Sequence, residues 1–146
     1  MLVTIVVIDT NVLVGALHGR GGVSRQIVRA CLTDELSPVF GAALLAEYED
    51  VFGRTELWRN AATTPEEREV VLDAFLSKCR WVEVYFAWRP NLPNEADNHL
   101  IELALAARAS VIVSKNLRDL KRGELKFPSL QVLTPKQMWE KLLCRH

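Results

Sequence analysis

The chain has few cysteines and no net charge. It therefore lacks the features of a disulfide-linked protein and of a protein that binds its partner through net charge. Its three cysteines, Cys31, Cys79 and Cys144, lie far apart. No pair has metal-ligand or redox spacing, so we predict reduced thiols and a cytoplasmic protein. Eighteen basic residues balance eighteen acidic ones. This balance argues against attachment to nucleic acid mainly through net charge, although a local basic patch remains compatible with it.

Long apolar runs are also missing, so we predict no membrane span and no signal peptide. The composition is that of a globular protein, with 49% hydrophobic and 25% charged residues. A length of 146 residues is sufficient for one domain with a sizeable core. Because no repeat or low-complexity tract interrupts it, we predict a single domain over residues 1–146.

Predicted strands alternate with predicted helices along the chain. Every residue of Val3–Ile8 is β-branched, which predicts a central strand buried on both faces. Further strands are predicted at Ser37–Phe40, Trp81–Phe86, Ser110–Ser114 and Leu130–Leu133. Helices are predicted at Asn11–Leu17, Val23–Leu32, Ala42–Phe52, Pro65 to about Cys79, Glu95–Arg108 and Pro135–Leu143, with a helix or loop at Glu56–Asn60 and a loop at Lys115–Gly123. This alternation predicts an α/β fold with a mainly parallel sheet.

The first strand ends in a carboxylate, Asp9. Open α/β sheets bind ligands outside the carboxyl ends of their strands, so Asp9 is a candidate functional residue. The alternative is that Asp9 or Thr10 only caps the next helix.

Two helical acids occupy positions that a solvated side chain would not take. On a helical wheel Glu47 borders the apolar stripe of its helix, with pairing to a nearby base such as Arg54 as the alternative. Asp97 falls in the middle of the apolar stripe of its helix. A charge facing a core is costly unless it is paired or bound to a metal. An inward-facing Asp97 therefore indicates that the first turn of its helix projects past the core into a cleft. The alternative is a first-turn acid favoured by the helix dipole, capped by Asn94.

A polar segment, Ser114–Asp119, follows another apolar strand and adds Asn116 and Asp119 as oxygen donors; alone it is typical of a polar turn. Oxygen ligands of this kind favour Mg²⁺ or Mn²⁺ over Zn²⁺. The three histidines lack zinc spacing, and we predict His99 on a helix surface near the mouth of the cleft.

Four segments in order resemble the PIN-domain family of metal-dependent ribonucleases over nearly the full chain. They are Ile8-Asp9-Thr10-Asn11-Val12-Leu13, Leu44-Leu45-Ala46-Glu47-Tyr48, Ala96-Asp97-Asn98-His99-Leu100-Ile101-Glu102-Leu103-Ala104 and Val113-Ser114-Lys115-Asn116-Leu117-Arg118-Asp119-Leu120. The chain looks most like the stand-alone bacterial members assigned as toxins of toxin–antitoxin pairs.

The resemblance implies a Rossmann-like three-layer α/β/α fold with an acidic metal pocket. Asp9, Glu47 and Asp97 match three acidic positions of the family. The fourth position is Asn116, and in members with this form Asp119 supplies the acid. Asn94 stands where many members have an aspartate. Both departures remove negative charge, which bears on whether one or two metal ions bind.

The resemblance and the residues together predict hydrolysis of RNA by the chain. Mg²⁺ or Mn²⁺ would be held by Asp9, Glu47 and Asp97, with help from Asn116 or Asp119. The residues that we expect to support these ligands or contact substrate are Thr10, Asn11, Ser114, Asn116 and Arg118. The basic residues Lys115, Arg118, Lys121, Arg122 and Lys126 bind flanking phosphates or form a solvated loop. An antitoxin partner and a homodimer are implied by the family alone.

Two other functions are compatible with the sequence. A PIN-like module without hydrolysis would bind RNA or a protein, and the altered fourth position favours it. A phosphoacceptor or phosphatase would use Asp9 as nucleophile, but Asn11 stands where such a phosphatase needs a second aspartate. The segment Phe86–Pro93, with Trp88, is either an exposed lip or part of the packed structure.

Overall fold

The computed structural model describes residues 3–19, 21–84, 95–117, 120 and 127–144, without the side chains of residues 95–98. Its strands are β1 Thr4–Ile8, β2 Leu36–Phe40, β3 Arg80–Trp81, β4 Val111–Val113 and β5 Gln131–Leu133. Its helices are α1 Thr10–His18, α2 Val23–Leu32, α3 Ala42–Phe52, a 3₁₀ turn Thr55–Trp58, α4 Pro65–Lys78, α5 Glu95–Ala107 and α6 Pro135–Leu143.

The five strands form one parallel sheet in the order β3-β2-β1-β4-β5. The central strand β1 pairs with β2 on one side and with β4 on the other, in a register that sets Ile8 beside Val113. The chain thus builds outward from β1 in one direction and then in the other. This reversal creates a topological switch point between β1 and β4. In open α/β sheets ligands bind at such a point, just outside the carboxyl ends of the strands.

The core is centred on β1, as its β-branched sequence predicts. Val6, Val7 and Ile8 are completely buried. Helix α5 packs on β1, β2 and β4, while α2 packs against α1, α4 and α6. The parallel sheet with helices on both faces confirms the predicted three-layer α/β/α fold.

One predicted strand differs in its bounds from the structure. Among the described residues, the strand predicted over Trp81–Phe86 spans Arg80–Trp81, because its partner β2 ends at Phe40, where Gly41 caps α3. Beyond that point Val82 N still donates to Phe40 O at 2.8 Å, but Val82–Val84 have no partner strand among the described residues. Residues 85 and 86 lie outside the described part of the chain.

In the predicted loop Lys115–Gly123, Leu117 and Leu120 have helical backbone, and the remaining positions from 118 lie outside the described residues. The predicted lip Phe86–Pro93, including Trp88, also lies outside them. None of the helices in the described part of the chain is both long and apolar enough to cross a bilayer.

Candidate active site

Asp9 lies at the switch point and also caps a helix. Its backbone N donates to Val113 O at 2.9 Å, which ties it to the end of the neighbouring strand β4. Its Oδ1 accepts a hydrogen bond from Thr10 N at 2.7 Å, so Asp9 is the N-cap residue of α1. The structural and the functional interpretations of Asp9 are therefore compatible, because one oxygen caps the helix and the other lies toward β4.

The second oxygen of Asp9 is bound by side chains from two elements. Ser114 Oγ, which is completely buried, donates to Asp9 Oδ2 at 2.6 Å. Asn11 Nδ2 lies 3.4 Å from the same oxygen and 3.4 Å from Ser114 Oγ. Asp9 is thus held in one orientation by its neighbours along α1 and by the residue that follows β4.

The environment of Asp9 disfavours its charge in the absence of a cation. Burial raises the pKa of this carboxyl above its ordinary value, and the nearby Glu47 carboxylate adds a smaller effect in the same direction. The hydrogen bonds from Ser114 and Thr10 oppose this rise without reversing it. A positive charge placed beside Asp9 would therefore be strongly stabilised.

Glu47 comes from the middle of α3 and reaches the same place. Thr10 Oγ1 donates to Glu47 Oε1 at 2.7 Å, so Thr10 contacts both carboxylates, one through its backbone and one through its hydroxyl. The side chain of Glu47 is 39% exposed, at the rim of the packed surface. The alternative that Glu47 pairs with a nearby base holds, but the base is His99 and not Arg54, which pairs with the exposed Asp50.

His99 is a site residue that the sequence analysis missed. We predicted it on a helix surface, but its side chain is 21% exposed and its Nε2 lies 2.6 Å from Glu47 Oε2. This hydrogen bond is the main reason that the pKa of Glu47 lies below its ordinary value. The sequence contains one available signal, since His99 is one helical turn before the buried Leu103 and therefore faces inward.

These side chains line a cleft of about 630 Å³. Its walls include Asp9, Thr10, Asn11, Glu47, Lys115 and Asn116. Asn116 N donates to Ser114 Oγ at 3.0 Å, which continues the hydrogen-bonded chain that begins at Asp9. Of the predicted site residues, Thr10, Asn11, Ser114 and Asn116 are therefore brought together around the two acids.

Three other predicted site residues cannot be added to this geometry. Asp97 belongs to the first turn of α5, but its side chain lies outside the described residues. Arg118 and Asp119 also lie outside them. Glu102, which the sequence analysis did not single out, is buried on the same helix and lines a separate pocket together with His99.

The donor set fits a hard divalent cation. Asp9 and Glu47 both offer carboxylate oxygens, which such cations prefer as ligands. Each carboxylate is oriented by hydrogen bonds, Asp9 from Thr10 N and Ser114 Oγ, and Glu47 from Thr10 Oγ1. Two neighbouring carboxylates, one of them buried, would be stabilised in their charged form by a cation between them. Within the described side chains no group of three acids, histidines or cysteines forms a metal cluster. The side chain of Asp97, the third acid predicted from the sequence, is outside this set.

The fold and site define an α/β protein with an acidic cleft at the switch point of its parallel sheet. A family model described as PIN domain matches residues 5–118 of the chain. The chain therefore belongs to the PIN-domain family, which confirms the resemblance found in the sequence. A search of curated proteins found no match.

Nine chains of solved structures are similar to this protein. One is from the crystal structure of VapBC2 from Rickettsia felis bound to a DNA fragment from their promoter. It shares 15% identity with this chain at a TM-score of 0.56, and the match covers 90% of this chain and 98% of that chain. At this level of identity the similarity concerns the fold alone.

Proposed function

We propose that the protein is an endoribonuclease that hydrolyses RNA phosphodiester bonds with Mg²⁺ or Mn²⁺. The observation that carries this proposal is that Asp9, just after β1, and Glu47, from α3, both contact Thr10 in one cleft. Asp97, one turn before the buried Leu100 and Ile101 of α5, is the proposed third ligand. Asn116 is the proposed oxygen donor at the fourth position, with Asp119 as a further acid.

The metal would lower the pKa of a bound water and neutralise charge on the scissile phosphate. The protein's own residues fix where that chemistry takes place. Ser114 and the backbone of Thr10 orient Asp9, while the Thr10 hydroxyl and His99 orient Glu47. Both carboxylates are thereby held in the orientation needed to bind a metal ion, and neither has to reorient during the reaction.

Cleavage of a labelled single-stranded RNA with Mn²⁺ and with EDTA tests this proposal. Wild type is expected to cleave only with the metal, and D9N, E47Q and D97N are expected to lose cleavage by on the order of 100-fold or more. E49Q is the matched control, because Glu49 is an exposed glutamate two residues from Glu47 on the same helix. Equal cleavage by D9N and wild type would exclude the proposed mechanism.

We further propose that the protein is the toxin of a toxin–antitoxin pair, forms a homodimer and binds a small antitoxin. Membership of the PIN-domain family supports this role, as does the fold shared with a chain of the VapBC2 complex. Induced expression in a bacterial host should arrest growth, and the D9N variant should not. Growth arrest that persists with D9N would argue against a nuclease toxin.

A binding module without hydrolysis is the second candidate. It is favoured by Asn116 at the fourth ligand position, where the side chain carries no negative charge. Such a module would bind RNA equally well with and without a divalent metal. Calorimetry separates the two functions, since a nuclease of the proposed kind must take up Mn²⁺ and this module need not.

A further inference from the structure

The end of the Lys115 side chain packs against Gly15, in the middle of α1, where any other residue would have its Cβ atom. A Cβ atom added to Gly15 would overlap Lys115 Nζ and lie 2.9 Å from Lys115 Cε. Glycine inside a helix costs about 1 kcal/mol relative to alanine. Since Gly15 has ordinary helical backbone, its missing side chain matters here for the space that it leaves. That space is filled by the end of the Lys115 side chain.

The backbone of Lys115 is fixed relative to the candidate acids. Lys115 N donates to Asn11 Oδ1 at 3.0 Å, and the amide nitrogen of the same Asn11 side chain lies 3.4 Å from Asp9 Oδ2. One side chain thus sets the distance between the start of the Lys115 side chain and the Asp9 carboxylate. Lys115 is therefore placed beside the cleft by the same contacts that orient Asp9.

Lys115 and Gly15 are shared by two neighbouring depressions of the surface. The first is the acidic cleft, and the second is a groove of about 350 Å³ whose walls include Ser24, Thr134 and Lys136. Among the described residues no acid lies within 4.0 Å of Lys115 Nζ. Lys115 is an exposed residue located where the acidic cleft meets the groove, and no acid of the described residues neutralises its charge.

We propose that Lys115 binds a phosphate next to the cleaved one, and that the RNA strand passes over Gly15 from the acidic cleft into the groove beside Ser24 and Lys136. This inference rests on the proposed function, since it takes single-stranded RNA as the ligand. A lysine ammonium is a suitable donor for a phosphate whose exact orientation is not fixed. Lys115 would act as a substrate-positioning residue and not as a metal ligand.

Gly15 offers a direct probe of the route. The nearest atoms that an alanine would meet belong to the end of the flexible Lys115 side chain, and the next is Ser24 Oγ at 3.1 Å, which has to shift by a few tenths of an ångström. Since both can move, G15A should fold, with a stability close to that of wild type or higher. The added methyl group would displace the Lys115 ammonium without removing its charge. A loss of RNA binding in G15A would therefore report on the position of that charge and not on folding.

Binding of a fluorescent single-stranded RNA dodecamer is measured by anisotropy in EDTA, where turnover does not contribute. K115A should bind threefold to tenfold more weakly than wild type, and the slope of log affinity against log salt should fall by about 0.7. G15A should weaken binding with an unchanged melting temperature or a higher one. K78A is the matched control: it also removes one positive charge, but Lys78 pairs with Asp34 at the end of α4.

The outcomes separate this inference from the proposed function. If K115A binds like K78A, or if wild type does not bind the RNA, the inference is wrong. If K115A weakens binding but G15A does not, the route over Gly15 is wrong. If both variants weaken binding while wild type fails to cleave RNA with Mn²⁺, the phosphate site stands and the proposed nuclease activity fails.

Discussion

Tyr48 Oη donates a hydrogen bond to the backbone oxygen of Ile8 at 2.5 Å. Tyr48 follows Glu47 in α3, and Ile8 precedes Asp9 at the end of β1. Both residues are completely buried. This single bond therefore fixes the backbone positions from which the two candidate ligands project. The relative positions of the two carboxylates therefore depend on a contact in the buried core and do not require a bound metal.

Replacing Tyr48 by phenylalanine removes this hydrogen bond and keeps most of the ring packing. We expect Y48F to lower the free energy of unfolding by about 1–2 kcal/mol, because the buried Ile8 carbonyl loses a partner. Mn²⁺ affinity should fall as well, since the two acids are no longer fixed to each other. Urea denaturation with an unchanged m-value measures the first effect. A Y48F protein as stable as wild type would contradict the anchoring role.

Thr10 should control metal affinity through its hydroxyl. T10V keeps the side-chain shape but removes the donor to Glu47 Oε1. We expect its Mn²⁺ affinity to fall by about 10-fold to 100-fold, the usual effect of losing a group that orients a ligand. T10S retains the hydroxyl and is the control. Equal Mn²⁺ affinities of T10V and T10S, measured by titration calorimetry, would show that Glu47 needs no such support.

Asp9 should destabilise the metal-free protein at neutral pH. Its pKa is raised in the folded state, mainly by burial, so folding favours the protonated carboxyl. That favourable contribution is complete below the ordinary aspartate pKa of 3.8 and is lost as the pH rises through the folded-state value. We therefore expect metal-free D9N to melt at a higher temperature than wild type at neutral pH.

Thermal melts of D9N and wild type in EDTA, at neutral pH and again near pH 3, test this expectation. The advantage of D9N should shrink at the lower pH, where Asp9 is protonated in both folded and unfolded chains. D50N is the control, because Asp50 is exposed. A lower melting temperature for D9N than for wild type at neutral pH would show that the Asp9 charge is stabilised without a metal.

The three thiols should differ sharply in reactivity. Burial raises the pKa of Cys79 to about 12 and that of Cys31 still further, whereas Cys144 is exposed. Because the thiolate is the reactive form, only Cys144 should react rapidly with a thiol reagent in the native protein. All three should react after denaturation, and C144S should show no rapid phase. Rapid labelling of Cys31 in the native state would contradict the described core.

Much of the fold was predictable from local signals. The all-β-branched sequence of β1 indicated a central strand. The start of α4 carries the sequence pattern of a capping box, a threonine followed three residues later by a glutamate (Thr64 and Glu67), with Pro65 at the first helical position. The structure contains that capping box, with Thr64 N and Glu67 N bonded to the opposite side chains at 2.8 and 3.1 Å. The length of β3 was not predictable, because it depends on where its partner strand ends and not on its own sequence.

The site was predictable only in outline. Asp9 and Glu47 could be selected from a strand end and a helical wheel, since both signals depend on one element at a time. The bond between His99 and Glu47 joins two elements that are 52 positions apart, so no local pattern contains it. The roles of Asp97, Arg118 and Asp119, like the single domain over residues 1–146, stay predictions.

Titration calorimetry with Mn²⁺ tests the central claim most directly, because it asks whether the acids form a metal site without requiring a substrate. Wild type should bind Mn²⁺, D9N and E47Q should bind it at least about 10-fold more weakly, and E49Q should match wild type. If wild type binds no Mn²⁺, or if D9N and E47Q bind it as tightly as E49Q does, the acidic cleft is not a metal centre.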